Sequence, residues 1–216
     1  MPISDRDYMK PSSRPARRSR GPGGYEWFTQ NPVLVIIVIN IMFFLVTSIA
    51  SRLIVTLGLA PSLFLQRPWT IITSLFVHEG FGHIFGNMLT LFFFGRVLYQ
   101  IVGQNKFLAV YFIGGILGNI VFMLLNMSTM TLVIGASGAV FAVAGALAVM
   151  MPNLQVRVYF VIPMPLWSVV LIFFGLWSIP NFISPNIAWQ AHMGGLATGL
   201  VAGYIFRKSG RYNNYR

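Results

Sequence analysis

Cysteine is absent from the 216-residue chain, and acids nearly so: four Asp and Glu stand against fifteen Lys and Arg. Without cysteine there is no disulfide framework, no zinc-thiolate site and no cysteine nucleophile. Only 9% of the residues are charged, against about 25% in soluble domains, so the chain lacks the polar surface to coat a particle in water. The acids are Asp5, Asp7, Glu26 and Glu79, and none falls in a long apolar run. Paired intramembrane aspartates, and with them an aspartyl mechanism, are excluded. What is abundant is apolar, with 56% hydrophobic residues and a mean hydropathy of +0.72. That is the composition of a polytopic membrane protein. The formal charge of +11 is unevenly spread, and no nucleic-acid partner is expected, since such a binder needs a basic face on a soluble fold.

Residues 1–28 are rich in Pro, Ser, Gly and basic residues (Arg6, Lys10, Arg14, Arg17, Arg18, Arg20). They hold too little apolar surface to fold, and read as a disordered basic cytoplasmic arm. Residues 29–207 carry six apolar stretches, at 32–50, 83–102, 107–125, 134–150, 161–179 and 189–206. Each is near the ~20 residues of a spanning helix, whose short examples have about 17. The expected fold is therefore all-α, a six-transmembrane-helix bundle, with residues 208–216 as a cytoplasmic tail. Residues 53–65 are apolar as well, but they are short, contain Pro61 and lie between Arg52 and Arg67. They suit an interfacial segment within a long first loop.

Basic residues set the expected orientation. The arm, Lys106, Arg157, Arg207, Lys208, Arg211 and Arg216 fall on one side, whereas only Arg52 and Arg67 fall on the other. The positive-inside rule places both termini in the cytoplasm, as an even number of spans requires, and a prokaryotic plasma membrane fits that bias. Arg96 lies near the cytoplasmic end of the second run, where its side chain can snorkel. Glycines four apart, Gly82/Gly86, Gly114/Gly118, Gly195/Gly199 and Gly199/Gly203, read as sites of close helix approach in lipid.

The informative residues are the few polar ones at the mouths of these spans. His83 and Asn87 are four apart, hence on one helical face. Ser137 sits in Gly135-Ala136-Ser137-Gly138 at the start of the fourth run, and His192 opens the sixth. With the amino terminus inside, runs two, four and six all begin at the outer surface, so these groups share one depth. Each alone has a bland reading: a serine among glycines packs and bonds its own backbone, a helix-end histidine anchors at the interface, and an asparagine bridges helices. Their convergence favours function, because polar groups within a membrane are costly.

His78-Glu79-Gly80-Phe81-Gly82-His83 resembles a zinc motif, but metalloprotease zinc takes histidines four apart. Five apart places them about 140° round a helix. A three-histidine metal hydrolase stays as one alternative. The main reading is a serine made nucleophilic by a neighbouring base, a Ser137–His192 dyad with no carboxylate to orient the imidazole. Phe141, one turn after Ser137, is the aromatic best placed to stack on that ring. Gly195 and Gly199 would let the fourth and sixth helices approach until Ser137 and His192 touch. Asn87, His83 and the Ser137 N–H are candidate oxyanion donors.

Three motifs, taken together and in this order, resemble the rhomboid family of intramembrane serine proteases: His83-Ile84-Phe85-Gly86-Asn87 as H-x-x-x-N, Gly135-Ala136-Ser137-Gly138 as G-x-S-G, and Ala191-His192-Met193-Gly194-Gly195 as A-H-x-x-G. The resemblance covers about residues 30–207. It implies a six-helix fold with an amphipathic first loop half-buried in the outer leaflet, and an endopeptidase cleaving other transmembrane proteins near the outer ends of their spans. It further implies Ser137 as nucleophile, His192 as base, and His83 and Asn87 as oxyanion donors. Phe141, Gly135, Gly138, Gly195 and Gly199 would support them. His78 would be structural, and the fifth span with the loop after it would form a lateral gate and cap. No cofactor or metal is implied; the partners are transmembrane substrates and membrane lipids, with oligomeric state left open. A proteolytically silent relative that binds membrane helices for quality control is the non-enzyme alternative. Three positions depart from the family pattern. Trp69-Thr70 replaces a Trp-Arg pair, so the first loop is expected to lack its Arg contacts; Tyr99 replaces an acid; and Phe141 stands where many members have tyrosine.

Overall fold

A computed structural model describes residues 31–158, 161–174 and 188–209. The expected basic arm and most of the tail lie outside these residues. Helix α1 (Pro32–Ile49) begins where Asn31 caps it, its side chain accepting from the Val33 and Leu34 N–H groups at 3.1 and 3.4 Å, with Pro32 at the first position. Proline costs nothing there, because that N–H has no helical partner anyway.

The connection that follows is built of short helical pieces: α2 (Arg52–Leu57), a 3₁₀ turn at Pro61–Leu63, α3 (Thr70–Thr73) and a second 3₁₀ turn at Ser74–Phe76. The expectation that it lacks Arg contacts is corrected. Arg67 Nη1 donates to the Val55 carbonyl at 3.1 Å, from three positions ahead of Thr70, where the family pattern would place an arginine. Trp69 Nε1 donates to Thr56 and Thr73 Oγ1 to Leu57, so three side chains tie the loop back onto α2.

Helix α4 (Phe81–Val102) carries a π-helical turn at Leu91–Gly95 and passes through Gly103, at φ +82°, into α5 (Gln104–Leu125). Arg96, in α4, lies over the Phe92 ring at 5.1 Å. Helix α6 (Ser137–Met150) is the core of the molecule: every residue from Gly138 to Leu147 is buried. It begins three residues later than the apolar run suggested, because Gly135 has φ +112° and turns the chain before the helix can start. Residues Gln155–Val158 (β1) and Ile162–Pro165 (β2) form an antiparallel hairpin, pairing Val156 with Met164. The fifth apolar run was expected to span from residue 161, with a start loosened or kinked by Pro163 and Pro165. The two prolines hold that stretch extended, and α7 (Leu166–Val169) starts only after them, continuing through a π turn at Val170–Phe174. The rest of that run and the loop after it fall outside the described residues. Helix α8 (Trp189–Lys208) closes the structure.

By length and composition α1, α4 and α5 can each cross a membrane. Helix α6 is apolar but has 14 residues, about 21 Å at 1.5 Å per residue against a hydrocarbon thickness of about 30 Å. With Met150 at one boundary, Ser137 would lie roughly 9 Å inside the other.

Small residues bring α5, α6 and α8 together. A side chain at Gly195 would strike the Gly138 carbonyl, one at Gly199 the Ala142 carbonyl, and one at Gly114 the Ala142 methyl. In lipid, where apolar surface gains nothing from leaving its solvent, such backbone approach is what van der Waals packing can use. Gly82 and Gly86 were read the same way, and that reading is corrected. Among the described residues nothing lies within 4 Å of a Cβ built at either; both line a cavity.

Candidate active site

The segment leading into α6 is pinned from both sides. Leu59 and Val133 exchange backbone hydrogen bonds at 3.0 and 2.8 Å. The Gly135 N–H donates to the Ser74 carbonyl at 2.9 Å, and the Ala136 N–H donates to His78 Nε2 at 3.2 Å. A backbone amide only donates, so Nε2 is the bare nitrogen of His78 and Nδ1 carries the hydrogen, directed at the Phe76 carbonyl 3.3 Å away. Burial pushes the His78 pKa down to about 3, with the nearby His83 adding to the effect. The neutral ring is a fixed strut. Ser74 is itself held by Asn119, whose Nδ2 donates to Ser74 Oγ and to the Ile71 carbonyl, both at 2.9 Å.

Gly135 is required twice over. Its φ of +112° suits only glycine, and a Cβ there would lie 2.6 Å from His83 Nε2. The missing side chain lets the His83 ring rest on the lead-in to Ser137. The His83 and His78 rings meet edge to face at 5.0 Å. One turn further along α4, Asn87 is buried and donates from Nδ2 to the His83 carbonyl at 2.9 Å. That uses one of its two amide hydrogens.

Ser137 is the first residue of α6, so its own N–H has no helical acceptor. Its Oγ lies 2.7 Å from His192 Nε2, across from α8. Phe141, one turn on, is stacked on the imidazole with centroids 4.5 Å apart and planes 12° from parallel. Gly195 and Gly199 bring α8 onto α6 just beyond this pair, as their spacing suggested. All four polar residues expected at the site, Ser137, His192, His83 and Asn87, line one cavity of about 750 Å³ together with Gly135, Gly138 and Phe141.

Two features of this cavity were missed in the sequence. Asn119 lines it and braces Ser74, and an amide within the apolar run of α5 was a signal that could have found it. Glu79 also lines it; it had been weighed only as a metal-motif acid. Among the described residues no three His, Cys, Asp or Glu side chains are grouped to hold a metal ion.

The family profile described as "Rhomboid domain" matches residues 65–209, from the first loop to the end of α8. The chain belongs to the rhomboid family. The match takes in Ser137, His192, His83 and Asn87 together. Over 146 residues the chain is 30% identical to "Putative rhomboid protease YdcA" of Bacillus subtilis, covering 67% of this chain and 71% of that protein. It is 31% identical over 134 residues to "Rhomboid protease GluP" of the same organism, covering 62% and 25%. It is 30% identical over 139 residues to "RHOMBOID-like protein 1" of Arabidopsis thaliana, covering 64% and 34%. The matched part thus spans between a quarter and seven tenths of these rhomboid relatives.

Proposed function

We propose that the chain is an intramembrane serine endopeptidase that cuts transmembrane proteins near the outer ends of their spans. The observation that carries this reading is the 2.7 Å approach of Ser137 Oγ to His192 Nε2 at the recessed end of a helix too short to cross the bilayer. Protease-named relatives support it.

The chemistry follows from the groups in the cavity. His192 Nε2 accepts the Ser137 proton as Oγ bonds to the scissile carbonyl carbon. The carbonyl oxygen gains negative charge and meets the free Ser137 N–H, with His83 and the second Asn87 hydrogen as further donors. As the C–N bond breaks, His192 passes its proton to the departing amine, leaving an acyl-serine. Water, deprotonated by the same nitrogen, then releases the acid and restores the hydroxyl. No carboxylate need orient His192, because Phe141 fixes the ring by stacking.

In the same reading the protein has six spans and both termini in the cytoplasm of a prokaryotic cell, with the cavity opening toward the outer face. The basic arm would meet anionic headgroups, each basic residue adding about 1 kcal/mol near the surface. Cleavage of a single-span reporter in proteoliposomes tests the function. Wild type cuts it, and Ser137→Ala and His192→Ala each insert and do not. Full retention of a cellular phenotype by Ser137→Ala would instead support a silent helix binder.

A further inference from the structure

Among the described residues, the cavity that holds Ser137 and His192 is lined by one carboxylate, Glu79, and by no Lys or Arg. Glu79 is also the only acid between residues 27 and 216. A lone carboxylate at this place, in a chain of formal charge +11, has His83 as an electrostatic neighbour. It is exposed, and no salt bridge holds it among the described residues.

Its position is nevertheless well defined. His78, on one side, is buried and bonded through both ring nitrogens to backbone at Phe76 and Ala136. Gly80, on the other, takes φ +81° and turns the chain into α4. Glu79 is held between two fixed points and presents its side chain to the cavity mouth, ahead of His83. A substrate carbonyl polarised by His83, Asn87 and the Ser137 N–H would place its neighbouring residues within reach of that carboxylate.

Resting on the protease reading, we infer that Glu79 is a specificity determinant, selecting substrates with a Lys or Arg within a few residues of the scissile bond and rejecting those with an acid there. The selection would be informative to the enzyme. The positive-inside rule leaves the outer flanks of most spans poor in Lys and Arg, so a basic residue at the outer end marks a minority of membrane proteins. A partly solvated ion pair favours its partner by about threefold, and the matching repulsion disfavours an acid by a similar factor.

The test uses the full chain in proteoliposomes and a single-span reporter carrying Lys, Gln or Glu in turn at each of the four positions flanking the cleaved bond. Wild type should show, at one or more positions, a kcat/KM about tenfold higher for Lys than for Glu, shrinking as salt is raised. Glu79→Gln should collapse the ratio toward one, and Glu79→Lys should invert it. Such an inversion cannot come from a loss of stability. The inference is overturned if the ratio survives in Glu79→Gln, or if that variant slows all three reporters equally. The protease reading fails separately, and takes this inference with it, if wild type cuts no reporter in a Ser137-dependent way.

Discussion

Phe141 lies flat against His192, the two rings 4.5 Å apart and 12° from parallel, on neighbouring helices whose backbones are brought together by glycine. A carboxylate in a three-residue catalytic group bonds the edge of the imidazole at Nδ1; Phe141 instead covers the face of the ring. It offers no charge, only a surface that limits how the imidazole can rotate. Aromatic stacking of this kind contributes about 0.5–1.5 kcal/mol beyond the area it buries. Phe141→Leu should therefore lower kcat by roughly three- to tenfold, while Phe141→Tyr retains most of it. Steady-state cleavage of a membrane reporter, with thermal unfolding in detergent as a folding control, measures both.

His78 holds the Ala136 N–H and is expected to make stability depend on acid. In the unfolded chain its ring takes up a proton near pH 6.5, and in the folded protein only near pH 3. Between those values the unfolded state binds the extra proton. The contribution is thus complete above pH 6.5 and is lost progressively as pH falls toward 3. Unfolding midpoints measured from pH 7.5 to 4 should fall more steeply for wild type than for His78→Gln. Removing the acceptor altogether with His78→Leu should cost about 1–3 kcal/mol at neutral pH.

The glycines divide into two groups with opposite predictions. Gly199→Ala drives a methyl into the Ala142 carbonyl and must part α6 from α8, at about 1–3 kcal/mol and with loss of most cleavage. Gly82→Ala and Gly86→Ala meet open space, so the unfolding free energy should stay within about 0.5 kcal/mol of wild type. Comparing the three proteins by thermal unfolding separates packing glycines from cavity-lining ones.

Asn87 spends one amide hydrogen on the His83 carbonyl, which leaves the second as an expected donor to the developing oxyanion. Asn87→Ala should lower kcat by about a hundredfold or more, with little change in KM. A rise in KM at constant kcat would assign Asn87 to substrate binding instead.

Much of the architecture was readable from residue type alone. Apolar length marked the first, second, third and sixth runs to within three residues, because a lipid-exposed segment has no freedom to be polar. The placement of His83, Asn87, Ser137 and His192 in one cavity was readable for the related reason that polar groups at such depth stand out. What escaped was backbone geometry. Hydropathy cannot see that Gly135 breaks the fourth run short of its apolar boundary; Pro163 and Pro165 signalled an irregular start to the fifth run, but not that it would pair as a strand. Spacing could not separate Gly82 and Gly86, which face space, from Gly195 and Gly199, which face another backbone. Nor could a fixed family position reveal that Arg67 supplies the loop contact from three residues upstream.

The central claim concerns the reactivity of one hydroxyl, and a fluorophosphonate adduct located by mass spectrometry reads it directly. The expected result is a single modified residue, Ser137, in the wild-type protein, with labelling abolished in Ser137→Ala and strongly slowed in His192→Ala. An adduct on any other residue, or equal labelling of wild type and Ser137→Ala, would contradict the account.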